Sequence, residues 1–363
     1  MSFESGSISC RAFFLPQSLP EDWLDRVAAN AAPPLEYLKD EPIQGWVGGR
    51  HLLDRVITSE NALYAGHIRL TLMQAERKIP PALLKAEQTM EELAELQARG
   101  VPFLNRKVRA EIKEQVVARL QPQMPPQLKG IHLVHSEATQ RIYASCLSEK
   151  QLDAFQINFG RTLGFALIPA VPDHTALRRK QIEVEDLPPS SFSPELADHQ
   201  VSYVIGEDFL TWLWYMSEQE KGAIPLVDSG DVTVLIEGPL TFHMEGQGAH
   251  MTVLRKGEPL MSAEAKTALV AGKKLKQARF NLVQGDAAWV CTLDADEFVI
   301  RGLKLPEEEE RLDPLSRFQE RVRKLDRFFD LFFQLYDEFL DRRRQVEEWQ
   351  DEVQRIRKWV QDR

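Results

Sequence analysis

Apolar and polar positions along this chain repeat with two periods, and the switches between them mark out the elements. Ser9-Cys10-Arg11-Ala12-Phe13-Phe14-Leu15, stopped by Pro16, predicts a strand. Inside the stretch from Ala62 to Met73, His67-Ile68-Arg69-Leu70-Thr71-Leu72 alternates as a half-buried strand does. Asp22 to Ala32 reads as a short helix with acids in its first turn, where they suit the helix dipole. Pro80 and Pro81 open a longer helix, since proline is tolerated in a first turn. Leu83, Leu84, Met90, Leu93 and Leu96 keep its spacing until Gly100. Asn105 caps a second helix through about Leu120, carried by Val108, Ile112, Val116 and Leu120.

Two strands follow, Gly130 to His135 and Arg141 to Leu147, and then a helix from Glu149 to Gly164 capped by Ser148. Phe165 to Ile168 is a short apolar strand ended by Pro169. Residues 171–200, with Pro172, Pro188, Pro189 and Pro194, read as a linker or surface excursion. Asp208 to Glu218 is an aromatic-rich helix. Beyond it sheet dominates, with strands at Val232 to Glu237, Thr241 to Glu245, His250 to Leu254, Leu275 to Val283, Ala287 to Leu293 and Phe298 to Leu305. A helix from Ser262 to Ala271, closed by Gly272, interrupts them.

The C-terminal stretch has a different pattern. Leu315, Phe318, Val322, Leu325, Phe329, Phe332, Tyr336 and Phe339 follow alternating steps of three and four, a heptad seam. It breaks at Arg342-Arg343-Arg344 and resumes with Val346, Trp349, Val353, Ile356 and Val360. One continuous helix here would be roughly 70 Å long. Such a seam must be buried, by a coiled-coil partner or by folding onto the body. The expected fold class is α+β: an antiparallel-sheet-containing, multi-subdomain chain with a long C-terminal helical extension. The expected divisions are an N-terminal region with two long helices at 1–125, a strand-strand-helix-strand unit at 126–180, a mostly β region at 181–306, and the heptad extension at 307–363.

Composition changes this picture through charge. The 363 residues carry 45 Lys+Arg against 55 Asp+Glu, a formal net charge of −10. An even negative field repels phosphate. Counted by segment, however, residues 181–245 hold Lys221 against 13 acids, or −12, while 69–141, 142–180 and 246–306 carry +4, +2 and +3. The deficit lies in one stretch, which leaves the basic segments free to build a positive face, with the acids expected outside. Cys10, Cys146 and Cys291 form no CxxC and exclude a disulfide scaffold or a Cys-rich zinc site. No leader-like start and no run of about 18 apolar residues is seen, so the expectation is a cytoplasmic chain away from membranes.

Signatures of catalysis fail to appear. His132 and His135 point to opposite faces of a strand and cannot share a metal as i,i+4 helical histidines do. Gly45, Gly48 and Gly49 form neither GxxxxGK[ST] nor GxGxxG, and there is no GxSxG elbow. Glu207, Asp208 and Asp231 are carboxylates a nuclease could use on a divalent metal, but nothing in the sequence joins them. The expectation is no enzyme, no cofactor and no metal.

Four basic groups remain: Arg77 and Lys78; Arg106, Lys107, Arg109 and Lys113; Arg255 and Lys256; and Lys273, Lys274 and Lys276. On an evenly alternating strand Lys274 and Lys276 share a face, an arrangement suited to phosphate contacts that read no bases. Gly45-Trp46-Val47, Glu76-Arg77-Lys78-Ile79-Pro80, the stretch from Arg106 to Glu114 running on to Leu120 and Pro122, and Arg161-Thr162-Leu163-Gly164 before Ile168-Pro169 together resemble the recombination-associated protein RdgC family. Ser262-Ala263-Glu264, Gly272-Lys273 and Leu303-Lys304 continue the series in the same order, so the likeness spans roughly residues 8–306.

The resemblance implies a bacterial, nucleoid-associated protein that binds single- and double-stranded DNA without sequence preference. It implies ring-like homodimers with a basic inner surface and antagonism toward the recombinase RecA. By it, Arg77, Lys78, Arg255, Lys256, Lys273, Lys274, Lys276 and Lys304 become the expected DNA-contacting residues. The sequence departs from the family at Arg255-Lys256-Gly257-Glu258-Pro259, where a basic-Gln-Asp turn is expected, and in the added heptad region 313–363. Two rival readings are a protein-interaction scaffold using the C-terminal helix and a metal-dependent exonuclease.

Overall fold

The computed structural model describes residues 3–39, 41–200, 204–219, 222–244, 251–255, 257, 259–307 and 312–362. Its strands are β1 (Ile8–Phe14), β2 (Ile43–Gly48), β3 (Leu63–Tyr64), β4 (His67–Arg77), β5 (Pro126–Ser136), β6 (Arg141–Ala144), β7 (Ile168–Pro169), β8 (Ala223–Leu226), β9 (Gly230–His243), β10 (Thr252–Leu254), β11 (Lys274–Gln284), β12 (Ala287–Asp294) and β13 (Val299–Lys304). All pair antiparallel in one 13-stranded sheet, along the path β10-β9-β11-β12-β13-β1-β6-β5-β4-β2, with β3, β7 and β8 on β4, β1 and β9. The helices are α1 (Trp23–Ala29), α2 (Ser59–Ala62), α3 (Pro81–Arg99), α4 (Arg106–Leu120), α5 (Glu149–Leu163), α6 (Pro172–Lys180), α7 (Ile205–Glu218), α8 (Ala263–Val270), α9 (Pro314–Arg344) and α10 (Val346–Asp362). The chain is α+β, as the element pattern predicts.

Strand alternation distributes the core. On β4, Ile68, Leu70 and Leu72 join Phe13, Trp46, Ile131 and Leu133 beneath α1 and α5, where Phe155 and Phe159 meet them. Met73 and Ala75 face the other way, against Ala32 and Leu38. In the second half of the sheet, Val234, Ile236 and Phe242 of β9 and Ala278, Phe280 and Leu282 of β11 pack under α7 and α9. Leu235, Glu237 and Arg279 on the opposite face are exposed. The division at 125/126 falls inside this architecture, because β4 and β5 pair from Ile68↔His135 to Arg77↔Pro126.

Three local readings change. Residues 172–180 are helical rather than linker: Pro172 occupies the first helical position and Arg178, Arg179 and Lys180 the last turn, both compatible with a helix. The two strands expected at 232–245 form the single strand β9, which runs through a cis Gly238–Pro239 bond. The strand expected from Phe165 shrinks to the two residues of β7.

The heptad region folds onto the body. Phe318, Val322, Leu325, Phe329, Phe332, Tyr336 and Phe339 of α9 are each 1 % exposed or less. Phe329 stacks on Tyr143, with ring centres 5.1 Å apart, and Phe333 sits 5.5 Å from Phe14, so α9 covers β1 and β6. Phe332 and Tyr336 meet Phe209 of α7 and Phe298 beside β13, so the same helix also covers the second half. The chain turns at Gln345, and α10 returns with Trp349 against Phe339. Most of the seam is thus covered within the chain, with Leu315 and Val346 left exposed.

Candidate nucleic-acid interface

On the α5 side of the sheet, the side chains of β4 and β5 run past the first turn of α5 and leave a groove there of about 410 Å³. Gln74 lies opposite Lys129 across the β4–β5 ladder, and Gln44 of β2 lies opposite Gln74, so polar side chains floor the groove. Lys78, two residues beyond Glu76 on the same strand parity, and Lys150, in the first turn of α5, complete its walls. All three lysines are exposed. Lys129 binds Glu76, and that hydrogen bond, with the charges of Lys129, Lys78 and Lys150 behind it, holds the Glu76 carboxyl below its ordinary value. Lys129 alone contacts the carboxylate, and the lining carries three ammonium groups against that one carboxylate, an excess of two positive charges.

Local sequence builds this end of α5. Ser148 Oγ accepts from the Gln151 amide, and Gln151 Oε1 accepts from the Leu147 and Ser148 amides, closing a capping box. Lys150 in that first turn opposes the helix dipole. A cation at a helix N-terminus is electrostatically costly on its own and is relieved by an anion in the groove. That charge, which shares its turn with Glu149, and Lys78, already named among the basic groups, are the sequence signals for the site. Lys129 carries none, because its position depends on the β4–β5 register.

The residues expected from sequence do not assemble in one protomer. Lys78 lies at the β4 end of the sheet, and Lys273, whose Nζ donates to Thr252 Oγ1 at 2.8 Å, lies beside β10 at the other. Eight strand spacings separate those ends, about 38 Å along a flat path. Arg255 is exposed beyond β10, Lys304 is exposed at the end of β13, and Lys256 falls outside the described residues. Arg77 faces away from the groove and donates to the Pro122 and Met124 carbonyls, tying β4 to the turn after α4.

Lys274 and Lys276 require correction as surface phosphate contacts. Lys274 is 4 % exposed and ion-paired with the fully buried Asp208 of α7, and Lys276 is half-buried against Asp296. The even alternation assumed for them fails because β11 shifts register on β9 between Leu275 and Gln277 and again before Arg279. The Leu275 amide also donates to Thr211 Oγ1 at 2.9 Å, fastening this strand beneath α7.

Other basic positions are also spent internally. Arg179 makes a two-pronged pair with Asp337, Lys180 meets Asp341 and Arg141 meets Asp330, all on α9. Most of the acidic stretch is exposed in the single chain, at Glu183, Glu185, Asp186, Glu195, Asp228, Asp231 and Glu237. Among the described residues of the stretch Glu207 and Asp208 are the buried acids, and burial raises both carboxyls above their ordinary values. Asp231, exposed on β9, does not join them, and no group of three His, Cys, Asp or Glu able to hold a metal occurs among the described residues. The three cysteines are buried and unpaired, with thiols pushed up by burial. No helix among the described residues is long and apolar enough to cross a membrane.

Fold and groove thus define an α+β protein with a built cationic concavity at a helix N-terminus. No family model matches the chain, and no curated protein matches it. The likeness to the RdgC family therefore rests on the ordered sequence motifs.

Proposed function

We propose that this chain is a DNA-binding protein without sequence preference, acting on single- and double-stranded DNA as a ring-like homodimer that restrains RecA-dependent recombination in the bacterial nucleoid. The observation that carries the reading is the groove in which Lys78, Lys129 and Lys150 converge beside the α5 N-terminus. Such a constellation suits backbone phosphates, because its ammonium groups supply charge and donors beside a helix N-terminus. A second copy is favoured by the exposed apolar face of α3, on which Leu83, Met90 and Leu93 are 36 %, 55 % and 56 % exposed. Lys78 belongs to the groove, and Arg255, Lys273 and Lys304 remain accessible additions to a basic lining.

Titration of labelled random duplex and single strand across salt tests the reading. Binding falls steeply with salt, by a slope of about 0.9 per phosphate contact on duplex, and is indifferent to sequence. The triple variant Lys78→Ala, Lys129→Ala, Lys150→Ala flattens that slope by about 2–3 and weakens all sequences alike. No binding at about 50 mM salt defeats the proposal, and an unchanged slope in the triple variant removes the groove from it.

A further inference from the structure

A second concavity opens at the other end of the sheet face that carries the lysine groove. Ile68 borders it and Glu76 borders the groove, eight residues apart along β4, or about 27 Å. Three segments build it: the approach to α1, the β3–β4 turn and the β5–β6 turn. Its volume is about 520 Å³, within the range of pockets that hold small molecules. Below it lies an apolar crevice of about 20 Å³, walled by Trp23, Trp46, Leu133 and Phe159.

His135 lines both spaces. It is 6 % exposed, and its Nε2 is buried without a hydrogen-bond partner. An unpaired buried polar atom costs about 1–3 kcal/mol, so a ligand that satisfies it gains affinity there. Burial, with His67 nearby and against the pull of Glu137, keeps the ring below its ordinary value, so at neutral pH it is uncharged with one donor and one acceptor.

The rim settles the sign of the ligand's charge. Glu21 and Glu137 stand at the mouth, and no lysine or arginine lines it. This is the reverse of the lysine groove, and it disfavours phosphate or carboxylate ligands. Trp23, Leu63 and Ile68 supply an apolar wall suited to a flat ring. From the unpaired His135 nitrogen, the aromatic wall and the acidic rim together, we infer that this cavity binds a small aromatic amine. Its ring packs on Trp23, its heteroatom pairs with His135, and its cationic group faces Glu21 and Glu137.

Calorimetric titration of the full-length chain with tryptamine and with indole-3-acetate tests this, because the two probes share a ring and differ in the sign of charge. Tryptamine binds saturably at one site, and indole-3-acetate binds at least about tenfold more weakly. His135→Phe keeps the bulk and removes the nitrogen, and it weakens tryptamine by about tenfold, as the loss of one buried hydrogen bond predicts. The double variant Glu21→Gln, Glu137→Gln alters two exposed side chains, so folding is not at stake, and it brings the two probes to similar affinity. Absence of saturable tryptamine binding, equal or tighter binding of indole-3-acetate, or indifference to both variants overturns the inference. Duplex titrations of the same variants report on the lysine groove, so this inference and the DNA reading fail separately.

Discussion

The molecule contains two helical hairpins that treat their apolar residues in opposite ways. In α9–α10 the body consumes most of the seam: Leu325, Phe332, Tyr336, Phe339, Ile356 and Val360 are 0 % exposed, and only Leu315 and Val346, at the starts of the two helices, stay exposed. In α3–α4 no residue of α3 is buried, and Ile112, Val116 and Leu120 of α4 make a small cluster with Leu104. Leu83, Met90 and Leu93 line the face of α3 turned away from that cluster. The heptad pattern is the more regular of the two in sequence, yet the ordinary amphipathic helix is the one left with an open face. Periodicity states that a face must be covered. What covers it is decided by which other apolar surface the chain can bring to it.

The largest test of this contrast is Phe332→Ala. Phe332 touches Phe209, Phe280, Phe298 and Phe328, and removing it empties a site with no solvent to refill it. The expected cost is about 3–5 kcal/mol, read from denaturant unfolding. A cost below about 1 kcal/mol would mean that α9 is an appendage rather than the cover of the sheet.

Lys274→Ala comes next. It removes the ion-pair partner of the buried Asp208 and leaves Arg343 as the other cation acting on it, at an expected cost of about 3 kcal/mol. DNA affinity of the folded variant stays at the wild-type level if Lys274 is structural. A salt slope flattened by about 1 would return it to the DNA surface.

How far the sequence reaches explains why these two residues differ in legibility. Asn105, Ser148 and Ser262 each accept the expected amide at a helix start, because capping is decided within four residues. The Gly100 and Gly164 caps are equally local, both in the left-handed region where glycine is strain-free. Lys274 was misplaced because two register shifts in β11 turn on its pairing with β9, whose partner residues lie some 30–50 positions away. Lys129 was missed because the groove exists once β4 and β5 are in register. The helix α6 was missed because Pro172 fits a linker and a first helical turn equally well. Segment charges predicted an available basic surface, but Arg141, Arg179 and Lys180 are claimed by the carboxylates of α9, a pairing the count cannot see.

A smaller effect separates the regions by pH. Burial first, and Asp296 second, raise the Glu207 carboxyl at the start of α7, where His243 Nδ1 lies 2.9 Å from Oε1. A raised carboxyl is one whose neutral form the fold prefers. Its contribution is fully present below the ordinary value of 4.5 and is lost as pH climbs toward the raised one. Glu207→Gln cannot titrate. The variant therefore gains stability relative to the parent as pH rises from about 5 to about 8, seen in paired unfolding curves. Parallel curves would mean that Glu207 stays ionised in the fold.

The smallest effect on stability falls on the open hairpin and bears most on assembly. Met90→Lys with Leu93→Lys alters two exposed positions of α3, so the folded monomer changes by about 0.5 kcal/mol or less. If this face is covered by a second copy, four added charges in the dimer sit against an apolar surface, and desolvating them opposes association. Sedimentation equilibrium then reports the parent as a dimer and the variant shifted toward monomer, while the two unfolding curves superimpose. A parent that already sediments as a monomer, or a variant that keeps its full mass, removes this face from the assembly. The difference between the hairpins would then be one of exposure alone.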